Sequence, residues 1–580
     1  MPTLNWIGKQ AVVNHHQEVP FHLLKDVPEL SCGDLGSGNL IVEGDNLIAL
    51  KALLPYYAKQ VKCIYIDPPY NTGNEAWIYN DNVNSPIIKR WLGKVVRKEG
   101  EDLSRHDKWL CMMYPRLMLL RELLTNDGIL LMSIDDNEVA NAKLILNEVL
   151  GPQNFIAQLV WEKGRKNDAK LFSVGHEYIF VYARSKQVLA KTIWRAAKAG
   201  VSEIAAEYHR LRKLHKDDFK AVSKGLAVFY KQLPKEHPAK KYARAKNADE
   251  RGVWRDNNIS WPGGGGPRYE IPHPETGQAC KIPDDGWRFV EDSMKEKIAD
   301  DPPWVVFRKD HTKPPFLKSY VYMVEERETD DGLFEGKKEV LASVFYRHSQ
   351  PSLDLMRDLF GSKVFPNPKD HEVLARLIRY VTSDDKNCVV LDSFAGSGTT
   401  GHAVLELNKQ DQGTRRFVLV EMEPGIARSI TTKRIHFVVD GFTDSKGDAV
   451  SGLGGGFRFC ELGESLFDEK GMIRTSVTYS NLARHVYFTE TGEPLPNGRA
   501  TKSPLLGITS NGVAVYLLYN GIIEDRLVNG GNILTSKTLA LLPRHNGLKI
   551  VYAAGSRLSN ARLKRENIMF KQTPYAIKVK

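Results

Sequence analysis

Cysteine is scarce and scattered: six residues in a chain of 580, at positions 32, 63, 111, 280, 388 and 460. With no close pair among them, the spacing excludes a disulfide framework and the Cys-x-x-Cys arrangement of structural zinc, and no metal is expected. The adjacent His15 and His16 point in different directions from whatever element carries them, so they are expected on solvated surface. Long apolar runs are missing too. None approaches the roughly 18 residues that a membrane span needs, so no membrane partner is expected. The opening stretch, MPTLNWIGKQAVVNHHQEVP, lacks the basic-then-apolar layout of a signal peptide, and a reducing cytoplasm is the expected setting.

What the chain has is length and positive charge. At roughly one domain per 150 residues, 580 residues imply several cores. Lys and Arg outnumber Asp and Glu by 81 to 70, a formal net charge of +11, which is compatible with a polyanionic partner without requiring one. Cationic side chains crowd between His209 and Arg255, among Tyr230, Tyr242 and Trp254. Taken alone such a run reads as solvated helix. Its position beside the motifs described next adds a second reading, contact with phosphates.

Apolar runs with strand character, LIVEGD (40–45), VKCIYID (61–67) and GILLMSID (128–135), alternate with the helical patterns NLIALKALLPYYAKQ and WLCMMYPRLMLLRELL. That rhythm predicts a parallel sheet with helices on both faces, an α/β fold. After a further strand, HEYIFVYAR (176–184), periodicity fades into a basic, Gly- and Pro-punctuated region. It then resumes with a helix over 369–383, the strand CVVLDSF (388–394), the helix GTTGHAVLELNK and the strand RRFVLVEME (415–423). The expected organisation is therefore an N-terminal extension (1–38), a core in two halves (39–190 and 346–440) interrupted by an inserted domain (191–345), and a small C-terminal α/β domain (441–580). Glycine density over GDAVSGLGGGFRF (447–459) reads as the linker into that last domain.

Two motifs carry chemistry. In LDSFAGSGTTGHAV (391–404), Gly396 and Gly398 lie after a strand and before a helix, where a tight turn lets a ligand approach the backbone. An acid ending the next strand, Glu421, is spaced to accept hydrogen bonds from ribose hydroxyls. The turn lacks both the third glycine of a dinucleotide site and the Gly-Lys-Ser/Thr of a phosphate loop, which disfavours pyrophosphate and ATP. A plain strand-to-helix turn is the competing reading for the glycines alone. The second motif is Asp67-Pro68-Pro69-Tyr70, which ends a strand with two residues that cannot continue a sheet. Such a rigid rim can present the Asp67 carboxylate and the Pro68 carbonyl as two acceptors, beside the flat ring of Tyr70. Two acceptors and a platform suit an exocyclic amine on a planar base; a proline-capped surface turn is the bland alternative.

DPPY at 67–70 together with DSFAGSG at 392–398 resembles the S-adenosylmethionine-dependent amino methyltransferases of DNA, in the permuted order where the catalytic tetrapeptide precedes the cofactor loop. The segments LIVEGDNLIALKALLPYYAKQVKCIYIDPPYNTG, GILLMSIDDNE, GHEYIFVYAR, FPNPKDHEVLARLI and the terminal LKIVYAAGSRLSNARLKRENIMFKQTPYAIKV look like the modification subunit of type III restriction systems. The resemblance implies a Rossmann-like methyltransferase in circularly permuted order, with the insert as target-recognition domain. It implies S-adenosyl-L-methionine as cofactor and methylation of adenine N6 in flipped-out double-stranded DNA, in a bacterial or archaeal cytoplasm. Asp67, Pro68, Pro69 and Tyr70 become the catalytic set. Phe394, Gly396 and Gly398 are assigned to the methionine end of the cofactor, Glu421 to its ribose and Asp45 to its adenine, with Asp392 near the amino group. Phe365 and Lys369 match the segment that closes over the cofactor, although Asn367 and Asp370 depart from the family's pattern. A homodimer and a separate helicase-nuclease restriction subunit are the implied partners. The rivals are methylation of cytosine N4, an inactive recognition subunit guiding a nuclease, and RNA as substrate.

Overall fold

The computed structural model describes residues 4–72, 104–164, 171–234, 237–324, 338–382, 385–496, 503–519, 522–523, 531–575 and 577. The end of the sequence YIDPPYNTG, Gly73, lies outside them. Internal contacts divide the chain into two compact units, one of residues 1–193 with 342–580 and one of residues 194–341.

The first unit is organised by an eleven-stranded sheet. In chain order its principal strands are β1 (His22–Asp26), β2 (Leu40–Glu43), β3 (Val61–Ile66), β4 (Leu124–Ile134), β5 (Phe155–Glu162), β6 (His176–Ala183), β7 (Val344–Tyr346), β8 (Val389–Asp392), β9 (Arg416–Glu421) and β10 (Gly456–Ser465). Across the sheet they run β1-β10-β2-β9-β8-β3-β4-β6-β5-β7. From β10 to β4 neighbours are parallel, and β6 turns antiparallel to both β4 and β5. Every residue of β2 and β8 is buried, as expected of parallel strands covered on both faces. Val389, Leu391, Val418 and Val420 share a core with Leu50 and Leu54 of helix α1 (Asn46–Tyr57) and Leu117 and Leu120 of helix α2 (Arg105–Leu123). The register pairs Val390 with Cys63 and Leu391 with Ile64, so β3 and β8 reach the same edge of the sheet. Helix α3 (Val139–Leu150) packs beside α2, while α4 (His371–Thr382) and α5 (Thr399–Asp411) pack together.

Four expectations change. The segments 1–38 and 441–580, expected outside the core, both enter the sheet: β1 pairs antiparallel with β10, and β10 pairs parallel with β2. Gly454 and Gly455, both at positive φ, turn the chain into β10, so the glycine density marks a corner before a strand. Four of the remaining C-terminal strands form a sheet of their own, yet Val477, Leu482, Val486, Leu517 and Tyr552 join the main apolar core. His16 is buried, not solvated: its carbonyl accepts a hydrogen bond from Lys51 Nζ at 3.0 Å, and burial lowers its imidazole to about 4. The insert also ends earlier than expected, because β7 already belongs to the main sheet.

The second unit holds a four-stranded antiparallel sheet ordered Val305–Val306, Phe316–Met323, Gly252–Asn257, Asn247–Asp249. An amphipathic helix pair, Val201–His215 and Phe219–Gln232, covers it, burying Ile204, Tyr208, Leu211, Val222, Leu226 and Tyr230. Tyr230 is therefore core, and Lys213, Lys220 and Lys224 are among the exposed residues of the basic stretch.

Candidate active site

Asp67 follows the last residue of β3, and the two prolines end that strand as their missing N–H requires. The rim beyond is clamped from two elements. Trp109 Nε1 of α2 donates to the Pro69 carbonyl at 2.7 Å. Asn71, in the left-handed region at φ 58°, donates to the Arg105 carbonyl at 3.1 Å and to the fully buried Glu138, which also bonds His106 Nδ1 at 2.7 Å. Both contacts rest on elements of the core rather than on the rim itself, which makes the DPPY corner rigid.

Around the corner lies a buried charge cluster. Lys369 Nζ stands 2.7 Å from Asp67 Oδ2 and 3.6 Å from Glu177 Oε2, and 4.9 Å from the centroid of the Tyr70 ring. Glu177 Oε2 also accepts from Lys163 Nζ at 2.6 Å and from the Tyr70 hydroxyl at 3.0 Å. Burial opposes the charge on Lys369, but the carboxylates of Asp67 and Glu177 outweigh it and hold the ammonium above its usual pKa. Burial likewise opposes the charge on Glu177, and Lys163 and Lys369 hold its carboxyl below the ordinary range. Two carboxylate oxygens in the cluster, Asp67 Oδ1 and Glu177 Oε1, are buried with no hydrogen-bond partner among the described residues.

The glycine turn faces this cluster from the end of β8. Gly396 at φ 51° and Gly398 at φ 78° bend the chain into α5. A Cβ on Gly398 would come within 3.2 Å of Thr431 Cγ2, so only glycine fits there without displacing a neighbour. Asp392 is fully used within the turn, accepting from the Thr400 hydroxyl at 2.6 Å and from the Phe394 N–H at 3.0 Å. Burial raises its carboxyl to about 7. Between the turn and the DPPY corner lies a narrow cleft, lined among others by Asp67, Phe365, Lys369, Asp392, Phe394 and Gly396.

Six of the sequence-derived site residues thus converge on one cleft, and Tyr70 is tied to them through Glu177 and Lys369. Three others are used elsewhere. Gly398 caps α5, facing Thr431 and Ile435. Glu421 lies beneath the turn, where its two oxygens accept from the N–H groups of Gly396 and Glu423, each at 2.9 Å. Asp45 caps α1, accepting from the Leu47 and Ile48 N–H groups, and its second oxygen stands 3.6 Å from Arg116. Sequence reasoning missed Glu177 and Lys163. The available signal was an acid inside the otherwise buried strand HEYIFVYA, since a charge there requires a partner. Behind the cleft, His371 and His402 stack at 4.1 Å beside Glu406, and the Arg434 guanidinium donates to His402 Nδ1 at 3.3 Å.

The family model described as DNA methylase, of the N6/N4 type, matches residues 61–433, from the first residue of β3 through the glycine turn and β9. The chain belongs to the N6/N4 DNA methylase family. It is 31% identical over 439 residues to the Mod subunit of the type III restriction-modification enzyme EcoP15I of Escherichia coli, covering 73% of this chain and 64% of that protein. It is 32% identical over 453 residues to the StyLTI Mod subunit of Salmonella typhimurium, covering 74% of this chain and 60% of that one. The chain therefore spans less than two thirds of the length of these relatives. Among solved structures it is similar to the cytosine-N4-specific PvuII DNA methyltransferase, at TM-score 0.31 and 10% identity over 69% of this chain and 86% of that one. As a family member it carries the α/β methyltransferase fold, with the strand that bears DPPY and the strand that bears the glycine turn lying side by side.

Proposed function

We propose that this chain is a DNA methyltransferase that uses S-adenosyl-L-methionine to methylate the N6 amino group of adenine in duplex DNA. The observation that carries the reading is the open acceptor Asp67 Oδ1 in the same cleft as the glycine turn. The lining fits the cofactor: the Gly396 turn admits close backbone approach, Phe365 and Phe394 offer apolar walls, and the Lys369 ammonium borders the same cleft. When bound, the cofactor supplies an electrophilic methyl group on its sulfonium. Asp67 and the Pro68 carbonyl each accept one hydrogen of the amine, freeing the nitrogen lone pair, and Tyr70 supports the ring by stacking. The base has to leave the duplex to reach them, at a cost of a few kcal/mol that stacking and phosphate contacts offset.

The relatives named as type III Mod subunits support a place in a restriction-modification system; in this reading double-stranded DNA, a second copy of the chain and a restriction subunit are the partners. In this reading unit 194–341 recognises the target, its exposed lysines holding phosphates, the C-terminal sheet offers a docking surface, and the enzyme works in the cytoplasm. No helix among the described residues is long and apolar enough to cross a membrane. Glu421 supports the ribose end through the turn it braces, and Asp45 supports the adenine end through the start of α1. The family to which the chain belongs covers both N6 and N4 methylation, which makes cytosine N4 the second target to test. Incubating the protein with labelled cofactor and duplex DNA, digesting to nucleosides and weighing them tests both. N6-methyl-2′-deoxyadenosine is expected, N4-methyl-2′-deoxycytidine would transfer the reading to cytosine, and no labelled nucleoside would reject it.

A further inference from the structure

We propose that Glu177 is a positioning residue that takes the Lys369 ammonium off Asp67 when the target amine enters, so that Asp67 meets the amine with its full negative charge. The inference rests on the methyltransferase reading above and assigns a role to a residue outside the DPPY corner and the glycine turn. As the site stands, Lys369 Nζ lies against Asp67 Oδ2 at 2.7 Å. An ammonium there competes for the very group that has to stabilise a nitrogen gaining positive charge. Glu177 is the carboxylate placed to relieve it: Oε2 is already 3.6 Å from Lys369 Nζ, and closing that gap to hydrogen-bond length is a shift of about 1 Å.

Three features make Glu177 a receiver rather than a bystander. It is almost completely buried, so no water competes for its oxygens. Its Oε1 is unpaired among the described residues, an acceptor held open at a position where an unbonded oxygen is costly. Its Oε2 anchors the Tyr70 hydroxyl at 3.0 Å, so the same carboxylate that receives Lys369 also fixes the ring that supports the base. A residue present only to neutralise Lys163, at 2.6 Å, would need neither the open oxygen nor the tyrosine. No bond is made or broken in this step and no proton is transferred. The ammonium exchanges one carboxylate for another.

Glu177→Gln keeps the shape and an acceptor for Tyr70 while removing the charge that receives Lys369. In single-turnover methyl transfer to duplex DNA it is expected to slow the chemical step by about tenfold or more, with the KM values for cofactor and DNA little changed; tenfold corresponds to about 1.4 kcal/mol. A loss smaller than about fivefold, or a matching rise in both KM values, overturns the proposal. The double variant Glu177→Gln with Lys163→Met separates the two roles, because it removes the cation a merely neutralising carboxylate would serve. It is expected to stay at least about fivefold below the native rate, and recovery above that level overturns the proposal. Should circular dichroism show Glu177→Gln unfolded, Glu177→Asp replaces it: a rate of at least about one fifth of native supports the proposal and a lower one overturns it. A native protein that transfers no methyl group would reject the functional reading itself. A native protein that does, with Glu177→Gln keeping pace, rejects this inference alone.

Discussion

Asp67→Asn removes one charge and almost no volume, which makes it the sharpest perturbation of the site. The cluster around it balances two carboxylates, Asp67 and Glu177, against two ammonium groups, Lys163 and Lys369. The substitution leaves that buried cluster with an excess positive charge. Stranding a buried charge by deleting its partner costs about 3–5 kcal/mol. Here Glu177 remains 3.6 Å from Lys369, so a loss of stability below that range, about 1–2 kcal/mol, is expected in chemical denaturation. The effect on rate is larger. In the proposed reaction the carboxylate faces a nitrogen that becomes positive as its bond to the methyl carbon forms, and deleting a preorganised group of that kind costs about 2.7–4 kcal/mol, about 100- to 1,000-fold. The Gly396 turn lies on the neighbouring strand and keeps its own hydrogen bonds to Glu421 and Thr431, so cofactor affinity by calorimetry is expected to change by less than about 1.4 kcal/mol. Single-turnover transfer from labelled cofactor measures the first quantity and titration the second. A variant within about tenfold of the native rate, or one that loses cofactor binding in parallel with rate, refutes the assignment of Asp67 as the acceptor.

Further expectations follow from the same geometry. Tyr70→Phe loses one hydrogen bond to Glu177 and keeps the ring, so it is expected to slow transfer by less than Tyr70→Ala, which forfeits stacking of about 1–3 kcal/mol; equal effects would reject the ring's role. Gly398→Ala forces a side chain into φ 78° within 3.2 Å of Thr431, costing about 1–2 kcal/mol, and an unchanged melting temperature would contradict this. His485 is buried between Phe21 and Phe467, and burial lowers its imidazole to about 3. Its folded pKa lies below the unfolded value of 6.5, so the stability it confers is present above pH 6.5 and is lost as pH falls towards 3, at about 1.4 kcal/mol per pH unit. Urea titrations at pH 7, 6 and 5 are expected to show a shallower acid loss in His485→Phe than in the native chain. Removing the exposed charges of Lys213, Lys220 and Lys224 is expected to weaken DNA binding and flatten its salt dependence, by about 0.9 in slope for each phosphate these lysines neutralise; an unchanged slope would take them out of the interface.

How much of this was legible in the sequence depended on whether the signal was local. Pro68 and Pro69 announce the end of β3, and Gly396 and Gly398 announce the turn after β8, because each residue limits its own backbone and no partner is needed to read it. The same local logic failed at β10. The corner glycines at 454 and 455 dominated the pattern, and the five residues GFRFC that begin the strand are too short a stretch to outweigh them. It failed at His16 as well, where burial comes from contacts with Lys51 and the helices around it rather than from any property of the His-His pair. Residue roles drawn from strand-end position alone also divided. Asp67 and Asp392 both line the cleft, whereas Asp45 and Glu421, equally terminal on β2 and β9, are drawn into capping and bracing by the N–H groups nearest them.

The largest gap was electrostatic, and it has a physical reason. Hydrophobic period and turn chemistry report what each segment buries, but a buried ion pair is defined by two residues far apart in the chain, and neither local period nor propensity encodes the distance between them. Lys369 was reached only through its motif, and Lys163 and Glu177 not at all, although these three with Asp67 form the electrostatic centre of the site. A single acid inside a strand of buried apolar residues is the trace such a pair leaves. Because an uncompensated buried charge costs several kcal/mol, that trace predicts a cation across the fold even when it cannot name one. In this chain the acid at 177 has two cations and a tyrosine hydroxyl within reach, and still keeps one oxygen free. A carboxylate with more partners than balance requires, and with an acceptor left over, is arranged for a partner that moves.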